Sequence, residues 1–146
     1  MNAPALSLRR KLATARTLSP GQLAMVAEAT LALGMARLVI LTLPFRRYAR
    51  WLSKPDQRDP APETALRQVR WAVELAARNV PWNAVCLPQA LAAKALLYRR
   101  GYSSTLHLGV QQANSELKAH AWLEANGVIV VGIRGMPGMT RMASFD

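Results

Sequence analysis

With 146 residues, 51% of them apolar, the chain has room for one domain, or one and a half, around a modest hydrophobic core. Nineteen Lys and Arg against eight Asp and Glu leave a net charge of +11, which suits an acidic peptide, a nucleic acid or an anionic membrane. There is no nucleic-acid motif, interleaved aromatic platform or glycine-rich phosphate loop, so nucleic acid is the least favoured of these. The single cysteine excludes an internal disulfide and a multi-cysteine zinc site, and it suits a reducing cytoplasm.

The first 18 residues are polar and partly helical, with Arg9, Arg10, Lys11 and Arg16. Ser19-Pro20 reads as an N-cap followed by proline in the first helical position. Residues 22–43 are strongly apolar. Glu28 and Arg37 interrupt them, so no charge-free run of 18 residues is left to cross a membrane. The preceding basic residues mimic a secretory signal, but Glu28 lies inside the apolar run, so a buried or partner-facing helix is the expectation. Pro44 ends that helix. The following FRRYARWL predicts a short amphipathic helix, with Phe45, Tyr48, Ala49 and Leu52 on one side and Arg46, Arg47 and Arg50 on the other.

The run SKPDQRDPAPE carries three prolines in eleven polar residues and predicts an extended linker. The chain accordingly divides into a helical N-terminal region (1–55), a proline-rich linker (56–63) and a second domain (64–146). Thr64 is the expected cap of the next helix, in which Leu66, Val69, Val73 and Val80 follow helical spacing and Arg67, Arg70, Glu74 and Arg78 face elsewhere. Pro81 ends it, and Trp82 and Asn83 lead into the next element.

Residues 87–98 are rich in Ala and Leu and predict a helix that is apolar nearly all round, with Gln89 and Lys94 the exceptions. Pro88 fits only its first turn, Arg99 and Arg100 suit its last, and Gly101 suits the stop. Cys86 therefore sits at the helix start, where free N–H groups and the positive dipole end favour a thiolate. Residues 104–110 and 118–125 alternate as strands, Asn126-Gly127 is a strong two-residue hairpin signal, and Val128–Val131 is the β-branched return strand. Alternation puts His120, Trp122 and Glu124 on one face. In the tail, residues 140–145 form a final strand, a lid or a disordered end. The expected class is α+β: a nucleophile helix packed on a small antiparallel sheet. A thiol at a helix start facing an imidazole on a strand is the arrangement for thiolate–imidazole catalysis.

The string CLPQALAAKALLYRRG, followed by TLHLGV, AHAWLE and NG, resembles the lasso-peptide leader peptidases, the transglutaminase-like, microcin-processing proteins of lasso-peptide biosynthesis. The likeness is close over residues 69–131 and loose before them. It places the family's cysteine on Cys86 and its histidine on His120. It implies a papain-like cysteine peptidase that removes the leader from a ribosomal precursor peptide, in the cytoplasm and without metal or cofactor. It also implies a separate leader-binding partner protein, with the ATP-dependent lasso cyclase as a further partner. The arginine-rich, apolar region 1–55 is the candidate docking surface for the partner, and membrane association is disfavoured.

One position departs from the family pattern. Members carry an aspartate about twelve residues after the histidine, where this chain has Gly132. Glu124 is four residues along the strand from His120, about 13 Å away, too far to hold its ring. The orienting group is then a backbone carbonyl, an amide such as Asn83 or Gln89, or absent. His107, on another strand, is read as structural. The alternatives to peptidase chemistry are an acyl transferase of the same fold and a non-catalytic adaptor in peptide maturation.

Overall fold

A computed structural model describes residues 3–53, 56–135 and 137–146. Five helices precede a four-stranded antiparallel sheet, an α+β architecture as the sequence predicts. The helices are α1 (Ala3–Thr17), α2 (Pro20–Thr42), α3 (Phe45–Leu52), α4 (Glu63–Asn79) and α5 (Cys86–Arg99). The strands are β1 (Thr105–Ala113), β2 (Glu116–Ala125), β3 (Val128–Val131) and β4 (Thr140–Phe145), in the spatial order β3-β2-β1-β4.

The local signals account for most boundaries. Ser19 caps α2 in a reciprocal box: its hydroxyl accepts from the Gln22 N–H, and the Gln22 side chain accepts from the Ser19 N–H. Gly101, at φ +82°, ends α5 by donating to the Tyr98 carbonyl, a left-handed stop that a side chain would resist. Asn126 and Gly127 both take positive φ and close the tight β2–β3 hairpin. Asn114 and Ser115 do the same between β1 and β2, a turn the sequence reading did not single out. Thr64 is not a cap, contrary to expectation. The helix starts two residues earlier than that cap would allow, at Glu63, with Pro62 in the cap position and the Glu63 carboxylate in the first turn.

A single core joins both sides of the proline-rich stretch. Ala29 and Leu33 of α2 lie in the same buried cluster as Val69 and Val73 of α4, Leu96 and Leu97 of α5, and Leu106, Leu123 and Val130 of the sheet. The stretch itself is extended but tied down. Asp59 pairs with Tyr102 in a short parallel bridge, and the Arg58 guanidinium lies over the Tyr98 ring at 3.5 Å. Lys54 and Pro55 lie outside the described residues.

By length and composition α2 could cross a membrane. In the fold it instead buries one face, through Ala29, Leu33 and Ala36, against α4 and α5. The opposite side remains apolar and uncovered: Leu31 is 71% exposed and Met35 61%. Helix α5 is enclosed much more fully. Even Lys94 is buried, with its ammonium donating to the Ser104 carbonyl at 2.6 Å.

Helices α4 and α5 cover one face of the sheet. The other face is crossed by the connection from β3 to β4, which must pass over β2 and β1 to reach the far edge. Gly132 begins that crossing against Ala121 and Trp122, a 3-10 turn follows at Ile133–Gly135, and Gly138 lies against the Gln111 side chain. Trp122, 4% exposed, is buried on this face. The tail therefore ends in the strand option, at Thr140–Phe145.

The core position of α2 predicts that Leu33→Ala lowers stability by about 2–5 kcal/mol, measured by urea unfolding, within one cooperative transition. Leu31→Ala, at an exposed position, is expected to stay within about 0.5 kcal/mol of the parent.

Candidate active site

Cys86 is the first residue of α5. The residue before it, Val85, adopts extended backbone geometry and has no side-chain oxygen with which to cap the helix. Pro88 brings no N–H at all, and the Gln89 N–H already donates to the Val85 carbonyl at 3.2 Å. The N–H groups of Cys86 and Leu87 are thus the helix-start donors that intrahelical bonding leaves over, beside the thiol. The thiol is half-buried and forms no disulfide. Gln89 is anchored by its amide N–H donating to the Ala84 carbonyl at 2.6 Å, which fixes the loop leading into the helix.

His120 stands on β2 beyond the end of its pairing with β3, which covers Leu123–Ala125 alone. At that open edge its Nε2 lies 2.6 Å from the Gly132 carbonyl oxygen. A carbonyl can only accept, so Nε2 carries the proton and Nδ1 keeps its lone pair. Of the three options left by the sequence, the orienting group is the backbone carbonyl, and it belongs to the residue that stands where the resembled family has aspartate. The amide of Gln89 is engaged elsewhere.

The reason for glycine at 132 is steric as well as conformational. Its φ is +91°, and a Cβ there would lie 2.6 Å from the Ala121 carbonyl oxygen and 2.8 Å from the Trp122 Cβ. Gly109 makes the matching clearance from the neighbouring strand, since a Cβ there would lie 2.7 Å from the Trp122 ring. Trp122 so accommodated lies near-parallel to the His120 ring, with centroids 6.3 Å apart, and has the His107 ring 5.5 Å away. Its indole N–H has no partner among the described residues, so ring packing holds it in place. Trp82, by contrast, packs beside Gly34 of α2.

Cys86 and His120 both line two clefts that meet at the thiol. One, of about 320 Å³, is mixed, with Glu74, Arg78, Gln89 and Arg134 beside Ala77 and Ile133. The other, of about 430 Å³, is apolar and runs along the sheet. The His120 ring makes its hydrogen bond to Gly132 and none to Cys86. Such contacts often close only when substrate is bound. Glu74 and Arg78 of the mixed cleft were placed by sequence spacing merely away from the apolar positions of α4. Arg134 and Phe45, which also line the clefts, carried no sequence signal of a role.

His107 makes a second constellation. Its Nδ1 lies 2.8 Å from the Ser144 hydroxyl and its Nε2 3.2 Å from the Glu124 carboxylate. The carboxylate fixes the tautomer: Nε2–H donates to Glu124, and Nδ1 accepts from Ser144. This links three adjacent strands on the face away from α5, and neither cleft at Cys86 reaches it. The expected structural role fits that position. Burial pushes the His107 pKa below its ordinary 6.5, helped by Arg141 and opposed by Glu124. Among the described residues no three His, Cys, Asp or Glu side chains converge as a metal site.

Two expectations follow. Gly132→Ala should lower stability by about 1–3 kcal/mol through strain against Trp122, read from the urea midpoint. It should also slow alkylation of Cys86 at neutral pH by displacing the carbonyl from His120. For His107, the unfolded chain takes up the proton before the folded protein does. Its contribution to stability is therefore complete above pH 6.5 and declines below that value until the folded imidazole is protonated too. In His107→Gln the fall in urea midpoint on acidification below pH 6.5 should be shallower, and an unchanged slope would contradict this.

No curated protein and no solved structure matches the chain. The model of one protein family, described as the transglutaminase-like superfamily, matches residues 29–144. That span begins inside α2, at the first helix residue buried in the core, and ends in β4. The superfamily includes cysteine peptidases and acyltransferases. With a match over most of its length, a cysteine-led helix and a strand-borne histidine opening on the same clefts, the chain belongs to the transglutaminase-like superfamily.

Proposed function

We propose that the protein is a cytoplasmic cysteine peptidase that removes the leader from a ribosomally made lasso-peptide precursor, acting with a separate leader-binding protein. The observation that carries this reading is the geometry of His120. Its Nε2–H is committed to the Gly132 carbonyl, which leaves Nδ1 without a hydrogen-bond partner among the described residues, on a side chain that shares two clefts with Cys86.

In this mechanism Nδ1 of His120 accepts the thiol proton, and the Cys86 sulfur attacks the scissile carbonyl carbon. The oxyanion so formed accepts hydrogen bonds from the N–H groups of Cys86 and Leu87 at the start of α5. His120 then passes its proton to the leaving amine as the C–N bond breaks, leaving a thioester. Water, deprotonated by His120, attacks the thioester; the leader is released as a carboxylic acid and the thiol is restored. The Gly132 carbonyl holds the ring in one tautomer and stabilises the imidazolium through its dipole. A carbonyl carries no net charge, so this support is weaker than a carboxylate would supply.

The partner requirement finds support in the surface of the first 52 residues. They carry eight Lys and Arg against the single acid Glu28. They also present an apolar groove between α2, α3 and α5, lined by Leu31, Met35, Trp51 and Tyr98. A surface of this kind suits a protein partner with an apolar ridge and acidic flanks.

The test is incubation of precursor and leader-binding protein with the full chain, read by mass spectrometry. A hydrolysed leader with a free carboxylate is the expected product, and a leader joined to an amine would instead assign acyl transfer. Cys86→Ala should abolish cleavage while keeping the parent's circular dichroism. Met35→Asp should weaken it at limiting partner concentration but not at saturating concentration. Cleavage at the parent rate by Cys86→Ala would end the proposal, and a Cys86 inert to iodoacetamide at neutral pH would favour the adaptor reading.

A further inference from the structure

We infer that the apolar cleft beside Cys86 is a side-chain subsite that takes a large apolar residue of the substrate adjacent to the bond under attack. The inference rests on the peptidase reading for its meaning but not for its test.

The cleft exists because the sheet outruns the helix that covers it. Strands β1 and β2 have nine and ten residues, whereas α5 begins only at Cys86. Leu106 and Leu123, a cross-strand pair, are fully buried in the helix-covered core. The next residues on the same face, Leu108 and Val110, are only partly buried; Leu108 still pairs with the buried Ala121, but Ala119, the partner of Val110, is exposed. These residues form an apolar floor that runs away from the thiol.

Two walls close it. Leu87 stands on the helix side next to Cys86, and Phe45 of α3 stands opposite, held edge-on to Tyr48 at 5.2 Å and to Phe145 at 6.2 Å. The far wall is Met142. The β4 register slips between Leu108 and Gly109, which pair with Ala143 and Arg141, so Met142 is the unpaired extra residue of a bulge. Bulges re-aim side chains, and this one adds a flexible thioether, 68% exposed, to the cleft lining.

No Lys, Arg, Asp or Glu lines this space, and its volume of about 430 Å³ admits an aromatic side chain. A charged side chain placed there would lose hydration with nothing to replace it. The other cleft at Cys86 is mixed, with Glu74, Arg78 and Arg134 beside Ala77 and Ile133. A peptide laid across the thiol thus meets a purely apolar surface towards Phe45 and Met142 and a mixed one, with charged groups, towards α4.

The experiment uses the full chain and three chloroacetamides whose amide nitrogen carries a phenethyl, an isobutyl or a 2-carboxyethyl group. In each, the Cys86 sulfur forms a bond to the methylene carbon and chloride leaves. Alkylation rates are followed by intact-protein mass spectrometry and divided by the rate with glutathione. The phenethyl and isobutyl probes are expected to react on the order of tenfold or more faster than the carboxyethyl probe. Met142→Glu, at an exposed position, should reduce that ratio severalfold. Val110→Asp, once circular dichroism shows it folded, should remove it. Normalised rates that do not depend on the tail, or a preference that both variants leave intact, would overturn the subsite. A thiol inert to all three probes and to iodoacetamide would overturn the peptidase reading along with it. A tail preference without leader hydrolysis would leave the subsite standing and remove only the proposed reaction.

Discussion

The hydrogen bond from His120 to the Gly132 carbonyl is the constraint around which the site is arranged. It orients the imidazole, selects its tautomer and leaves one nitrogen for chemistry. It also sets strict requirements on its surroundings. The carbonyl reaches the ring only because the chain leaves β3 in a left-handed conformation pressed against Ala121 and Trp122, where no Cβ fits. Trp122 in turn backs the His120 ring, and it lies flat on the sheet only because Gly109 leaves space on the adjacent strand. Two glycines, one indole and one backbone carbonyl thus take over an orienting role that a carboxylate could fill. A backbone carbonyl offers a dipole rather than a charge, and it cannot itself be protonated.

The helices supply the other half. A cysteine at the first residue of α5 benefits from the partial positive charge there only if that end of the helix stays accessible, while the rest of the helix must be buried to hold it still. The protein meets both demands by wrapping α2, α4 and the sheet around the body of α5 and leaving its first turn at the junction of two clefts. Helix α2 is therefore structural support for the site. Because its apolar residues extend beyond the one face it buries, it also leaves an uncovered apolar surface.

The two imidazoles show how position on a sheet separates similar residues. His107 and His120 flank the same indole on the same face. His107 lies in the middle of the sheet, enclosed by Ser144 and Glu124, and its burial opposes protonation. His120 lies at an edge freed by the shortness of β3 and opens on the thiol's clefts. The difference is one of strand length and register rather than of chemistry.

Much of this was legible in the residues themselves. The cap at Ser19, the stop at Gly101, the Asn126-Gly127 turn and the helical start at Cys86 depend on interactions within a few residues, so local chemistry determines them. The α+β class was readable for the same reason, since helical and strand periodicities place each residue on its own element, whereas the choice of His120 rather than His107 as the partner of Cys86 came from the resemblance. What brings those elements together was not readable. The Gly132 carbonyl carries no side-chain signature, and its partner is twelve residues away across a hairpin and a bulge. The capture of α2 into the core across the proline-rich stretch, the approach of Phe45 to the thiol's cleft and the exposure of Met142 by a slipped register likewise arise from packing between distant segments. Backbone acceptors, register slips and helix-to-sheet offsets are properties of the assembled chain, so only the tertiary structure could decide them.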